Sequence, residues 1–235
     1  LLAPRRREER DVPGRPRISR SRGVGARDVD ATAAVVWRQS RDLADASLAH
    51  PFVQGIASGE LPLERFRVYV AQDAYFLEAF ARGYALALAR CPDREGIGVL
   101  KDLLVGVFEE LQLHQGYSER WGISLSPEPL PATSAYCDFL LSTASLEPSG
   151  HTVAAMTPCM RLYAFLGQQL SSTLDPKSPY REWVETYSVP EVDALASRLE
   201  QLLDRYGGDP ERLAWLYRRA MELELAFFQA AWEAA

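Results

Sequence analysis

From about Asp30 to its end the chain repeats one pattern: apolar side chains three and four residues apart, in segments cut off by proline and glycine. That period puts the apolar side chains of a segment on one face of an α-helix, and no stretch alternates apolar with polar residues long enough for a sheet. The longest segment, Leu63 to about Arg90, sets Phe66, Tyr69, Val70, Asp73, Phe76, Leu77, Phe80 and Tyr84 on a single face. Before it, Ala33, Val36, Trp37, Leu43 and Leu48 follow a rougher spacing that Pro51 ends, and a short helix through Phe52, Val53 and Ile56 stops at Gly59. After it, Pro92-Asp93 opens a helix to Trp121 with Ile97, Leu100, Leu104, Phe108, Leu111 and Tyr117 turned inward, and a proline-rich loop leads to a helix starting near Thr133. Ala155 to Gly167 carries the next helix and Tyr180 to Tyr187 a short one. Pro190 to Tyr206 is amphipathic and ends at Gly207-Gly208; Asp209-Pro210 then caps and opens the last helix, with Leu216, Ala220, Leu223, Phe227 and Ala231 as its stripe. The expected architecture is all-α, roughly eight helices over residues 31–235, with short connections that favour antiparallel neighbours.

Charge divides the chain at the same place. Residues 1–30 hold nine arginines against five acids, a net of +4, so with a total of −6 the remainder carries −10. An acidic body gives nucleic acid no electrostatic footing. The arginine-rich leader has few large apolar residues and is expected to be disordered, either as a plain extension or as an organellar transit segment, although Glu8, Glu9 and Asp11 are unusual in the latter. No apolar run approaches the roughly 20 residues that span a bilayer, so no membrane partner is expected. The three cysteines, Cys91, Cys137 and Cys159, form no C-x-x-C pair, which argues against a disulfide framework or a zinc site and for a reducing compartment. The expected location is the cytoplasm, or a mitochondrion or plastid if residues 1–30 are a transit segment.

Several side chains invite chemistry. Cys159 and Tyr163 stand at i and i+4, so a thiol and a phenol share one helix face. Pro158 fits a helix start or a kink, and either leaves backbone groups free near the sulfur. The same spacing also describes core packing, where free cysteine is common. Asp73 sits amid an apolar stripe, where a carboxylate is costly unless paired, so it either partners a neighbouring helix or binds a ligand. Glu224 flanks the last stripe in the same way. Glu110 and His114 are four apart and occur once, whereas di-iron bundles use Glu-x-x-His in two copies; they read as a packing pair, or one that orients a binding group.

Tyr69-Val70-Ala71-Gln72-Asp73, Ala135 to Leu140, Met156 to Tyr163, Tyr180 to Tyr187 and Glu224 to Phe228 follow one another in the order and spacing of the TenA/thiaminase II family, which the chain resembles from about residue 35 onward. Ala155 to Gly167 most resembles the TenA domain of a plant enzyme that joins it to a thiamine-phosphate phosphatase; no phosphatase activity is expected of this chain. The resemblance implies a heme-oxygenase-like helical bundle, commonly a homotetramer, that hydrolyses 4-amino-5-aminomethyl-2-methylpyrimidine to the hydroxymethyl compound and ammonia in thiamine salvage, and that can also cleave thiamine. It implies Cys159 as nucleophile, Glu224 as acid/base near the leaving amine, Asp73 as the carboxylate on the pyrimidine's amino group and ring nitrogen, and Tyr136, Tyr163 and Tyr187 as the site's aromatic and hydroxyl lining. Phe76 stands where many members carry a tyrosine, which removes a hydroxyl from the binding site.

These residue types suit the reaction. A soft thiolate can attack an electron-poor pyrimidine, and a cysteine of ordinary pKa needs activation by a nearby hydrogen-bond donor or by a helix-start dipole, which Pro158 makes plausible. An amine leaves badly as an anion and needs a proton from a positioned acid. No metal or redox cofactor is called for. Two other readings compete: a pyrimidine-binding protein without useful catalysis, motivated by Phe76, and a heme or di-iron protein on a similar bundle, weakened by the scarcity of histidine at His50, His114 and His151.

Overall fold

The stripe expected between Leu63 and Arg90 is buried throughout: from Phe66 to Tyr84 none of its eight members exceeds the 4% exposure of Asp73. The computed structural model describes residues 31–234, which form α1 (Thr32–Gln39), α2 (Arg41–Ala49), α3 (Pro51–Ser58), α4 (Leu63–Ala89), α5 (Arg94–Trp121), α6 (Pro131–Leu146), α7 (Ser149–Ser171), α8 (Arg181–Ser188), α9 (Pro190–Tyr206) and α10 (Pro210–Glu233). Among the described residues there is no strand, and no helix is long and apolar enough to cross a membrane. The arginine-rich leader, with its disordered or transit reading, lies outside the described residues. The string Asp28-Val29-Asp30-Ala31-Thr32 has the Asp-x-Asp-x-Thr spacing of a phosphatase nucleophile, but its two aspartates are also outside them and Thr32 opens α1.

Local chemistry explains most helix ends. Asp93 and Asp209 accept the backbone N–H of Gly96 and Arg212, and Gly59 and Gly122 end α3 and α5 in the left-handed region. Four details differ from the sequence pattern. The first segment is two helices, broken at the buried Ser40. Helix α6 starts at Pro131, a proline at N1, two residues before Thr133. Pro158 lies deep inside α7, so it is no helix start; it cannot donate to the carbonyl of Ala154 one turn back. In α5, Ile97 and Phe108 face outward at 41% and 56% exposure, while Val99, Leu100, Leu103, Val107, His114 and Tyr117 are buried. Burial of His114 and Tyr117 sets the rotation of α5, which the apolar residues alone left ambiguous.

Tertiary ties then bring the helices to the site. The buried Gln72 donates to the Glu128 carbonyl and accepts from the Leu130 N–H and the Thr133 hydroxyl, tying the proline-rich loop, and with it α6, to α4. Arg161 donates to both carboxylate oxygens of Glu200 at 2.7 and 2.6 Å and to Asp193 at 2.6 Å, clamping α7 to α9. Trp183 is 1% exposed and closes the core between α8 and α4, its indole donating to the Tyr69 hydroxyl at 3.2 Å. Trp232 is covered by the Arg65 guanidinium, 3.5 Å from its ring centre. The outward tryptophan is Trp215, at 52%.

Gly167 packs α7 directly on the end of α8, where a Cβ would run into the backbone carbonyl of Tyr187. Gly167→Ala is expected to destabilise the protein by about 1–3 kcal/mol, read as a lower midpoint in thermal or urea unfolding. It should also lower activity, because it displaces Tyr187.

Candidate active site

Five helices enclose a cavity of about 300 Å³, at the small end of the range for ligand sites. Asp73, Leu77 and Phe80 come from α4, Glu110 and its neighbours from α5, Cys159, Met160 and Tyr163 from α7, Tyr187 from α8, and Val192 and Leu195 from α9. Cys159 and Tyr163 therefore share the cavity-facing side of α7, as their spacing predicts. Tyr163 is held from behind: its hydroxyl is 3.2 Å from that of Tyr69, which accepts from Trp183.

Glu224 and Tyr136 do not line this cavity. Behind its wall, the Tyr136 hydroxyl donates to Glu224 at 2.7 Å, and the Glu224 carboxyl interacts with the Cys159 thiol. Burial raises Glu224 to about 8, against the opposing hydrogen bond from Tyr136. Phe76 is neither a lining residue nor close to the thiol by any recorded contact. It packs on Tyr136 with ring centres 4.7 Å apart, and on Phe80 and Phe227, so the residue expected to bind substrate stands behind Tyr136 in this structure.

The thiol has no helix-start dipole to activate it. Burial pushes Cys159 well above the usual thiol range, and the carboxyls of Glu224, Glu110 and Asp73 push the same way. The resting group is a neutral thiol beside an acceptor, and activation means transferring its proton. A helix-dipole thiolate, as anticipated from Pro158, is excluded by the position of that proline inside α7.

Asp73 partners a neighbouring helix and also faces the cavity. Its Oδ2 lies 2.9 Å from His114 Nε2. His114 Nδ1 is 2.9 Å from the Glu110 carbonyl, which can only accept, so that nitrogen carries a proton. Burial acts to lower His114, but the hydrogen bond and charge of Asp73 prevail and raise it to about 9. The pair is thus an imidazolium and a carboxylate, and the remaining capacity of Asp73 points to hydrogen-bond donors. Glu110, read from the sequence as a packing partner of His114, also brings its carboxyl to the cavity, where it accepts a short hydrogen bond from the Tyr187 hydroxyl. Burial and the Asp73 charge raise it to about 7, against His114 and Tyr187. The Glu110–His114 spacing was visible in the sequence; the cavity on its other side was not.

Residues 37–234 match the model of the TENA/THI-4/PQQC family. The chain is 36% identical over 212 residues to the bifunctional TH2 protein, mitochondrial, of Arabidopsis thaliana, covering 78% of this chain and about a third, 34%, of that protein. It is 31% identical to the aminopyrimidine aminohydrolase of Halalkalibacterium halodurans, covering 73% of this chain and 80% of the other. Among solved structures it resembles a TenA homologue from P. horikoshii OT3, with a TM-score of 0.81, 28% identity, and 88% and 100% of the two chains covered. Heme oxygenase-1 from the cyanobacterium Synechocystis sp. shares the fold at a TM-score of 0.54 and 15% identity, with 85% and 91% covered.

The Asp73–His114 pair should be visible in stability. His114→Gln leaves Asp73 without its cation and is expected to cost about 3–5 kcal/mol at neutral pH. Because the folded value of about 9 exceeds the ordinary 6.5, the contribution is full below about pH 6.5 and disappears as pH rises through 9. Urea unfolding of both proteins between pH 6 and 9.5 checks that the gap narrows with rising pH.

Proposed function

Because the chain belongs to the TENA/THI-4/PQQC family, we propose that its cavity hydrolyses 4-amino-5-aminomethyl-2-methylpyrimidine to the hydroxymethylpyrimidine and ammonia in thiamine salvage, with thiamine as a further substrate. The observation that carries this reading is the meeting of a neutral thiol, a carboxyl raised to about 8 and a cation-paired carboxylate around one small aromatic-walled cavity. A relative named for C–N bond hydrolysis of aminopyrimidines, with most of its length covered, supports it.

The flat ring is held between aromatic and aliphatic walls, with its exocyclic amino group donating to Asp73. As the Cys159 sulfur adds to the ring carbon beside the substituted one, Glu224 takes the thiol proton. The displaced electron pair moves out to the exocyclic methylene and the C–N bond breaks. Glu224 returns the proton to the departing amine, which leaves as ammonia. Water then adds to the methylene carbon, and the electron pair flowing back through the ring expels the sulfur, which recovers a proton from that water by way of Glu224. The sum is one water consumed, one amine replaced by hydroxyl, and an unchanged enzyme.

Tyr136 holds Glu224 toward the thiol and lowers its pKa, keeping a basic fraction at neutral pH. Phe76 backs Tyr136 and leaves those groups in place, so the missing hydroxyl does not favour a binding-only protein. The family resemblance also implies a homotetramer, which light scattering of the full chain tests.

Ammonia release from the aminomethylpyrimidine, measured beside thiamine cleavage, tests the proposal. Cys159→Ala is expected to reduce release to background while still binding the hydroxymethyl product. Glu224→Gln should lower kcat by about 10²–10⁴-fold. Full turnover by Cys159→Ala would overturn the nucleophilic role.

A further inference from the structure

Resting on that reading, we infer that Glu110 is a second acid–base residue of the cavity, lending a proton to a pyrimidine ring nitrogen as the thiol adds and recovering it when the ring re-aromatises. Tyr187 acts as its positioning residue.

Glu110 reaches the cavity from α5 without a cation bound to it. Other carboxylates that tie helices together have one: Asp73 pairs with His114, Glu200 with Arg161, and Glu147 with Arg212. Glu110 and Glu224 instead take a phenol each, from Tyr187 and Tyr136, and both act on Cys159. A carboxyl placed in a shielded site with only a phenol as hydrogen-bond partner is expensive as an anion and suited to carrying a proton. The titratable groups that act on it or share its cavity include Asp73, Tyr69 and Tyr84 from α4, His114 and Tyr117 on its own helix, Cys159 and Tyr163 from α7, Tyr187 from α8 and Glu224 from α10. Burial and the anion at Asp73 raise it to about 7, so both protonation states are populated near neutrality.

The chemistry leaves a task for such a group. Sulfur addition drives an electron pair into the ring and onto its nitrogens. Asp73 is taken up by His114 on one side and, in the proposed mechanism, by the exocyclic amino group on the other. Glu224 is occupied by the thiol and the leaving amine. A proton from Glu110 on a ring nitrogen neutralises the incoming pair, and its return restores Glu110, so no proton is consumed. The Tyr187 hydrogen bond fixes the carboxyl and lowers its pKa.

The test uses the full chain with Glu110→Gln and Tyr187→Phe, and Cys159→Ala in parallel. Glu110→Gln is expected to lower kcat about 100-fold, with KM little changed, and to remove the alkaline fall in kcat; Tyr187→Phe should move that fall to higher pH. As a readout independent of turnover, the ultraviolet spectrum of bound hydroxymethylpyrimidine should titrate at lower pH in Glu110→Gln than in wild type. Unchanged kcat and alkaline limb in Glu110→Gln, with turnover still dependent on Cys159, overturn this inference and leave the hydrolase reading intact. Turnover undiminished in Cys159→Ala overturns the hydrolase reading itself. If the wild type binds without turnover, the ligand titration decides: identical curves refute the role of Glu110, and a shift supports it.

Discussion

The buried pair of Asp73 and His114 is the contact on which the site's geometry depends. A carboxylate in the middle of an apolar stripe is tolerated because an imidazolium from the next helix meets it at 2.9 Å, and that imidazolium is oriented by the Glu110 carbonyl one turn earlier on its own helix. The hydrogen-bond chain fixes the rotation of α5 against α4. Fixing the rotation sends Ile97 and Phe108 outward and delivers the Glu110 carboxyl to the cavity. One backbone carbonyl and one side chain of the same residue thereby serve different ends: the first orients the imidazole that meets Asp73, and the second meets Tyr187 at the cavity.

Helix α7 supplies the sulfur and is held on three sides. Arg161 anchors it to α9, Gly167 lets α8 approach to backbone contact, and its inner residues pack against α10. Pro158 interrupts one hydrogen bond just before the thiol, while the Thr157 hydroxyl donates to the Val153 carbonyl at 2.7 Å beside the gap. None of this makes a thiolate. Burial and the surrounding carboxyls hold the proton on sulfur, so the nucleophilic role proposed above requires a neighbour that takes the proton at the moment of attack.

Around the sulfur, in the cavity and behind its wall, stand two carboxyl–phenol pairs and one carboxylate–imidazolium pair. The two kinds of pair have different consequences. An imidazolium keeps its carboxylate charged and available for accepting hydrogen bonds; a phenol leaves its carboxyl near neutrality, able to move a proton in either direction. In the proposed mechanism, binding and proton transfer fall to different carboxyls according to the partner each receives.

The amino-acid sequence by itself determined the helices and their inward faces wherever the signal is local. A 3.6-residue period and a cap or proline act within a turn or two, so the stripes of α4 and α10, the Asp93 and Asp209 caps and the i,i+4 placement of Cys159 and Tyr163 were legible. The family motifs pointed to Asp73, Cys159, Tyr163 and Tyr187, which line the cavity, and to Glu224 and Tyr136, which stand behind it. Tertiary structure alone decided that Asp73 meets His114, that Phe76 backs Tyr136, that Trp183 is core, and that the Glu110 carboxyl meets Tyr187 at the cavity. Each of these depends on how one helix is rotated and set against another across 41 or more residues of chain. That rotation follows from the summed packing of distant side chains, which no local spacing records.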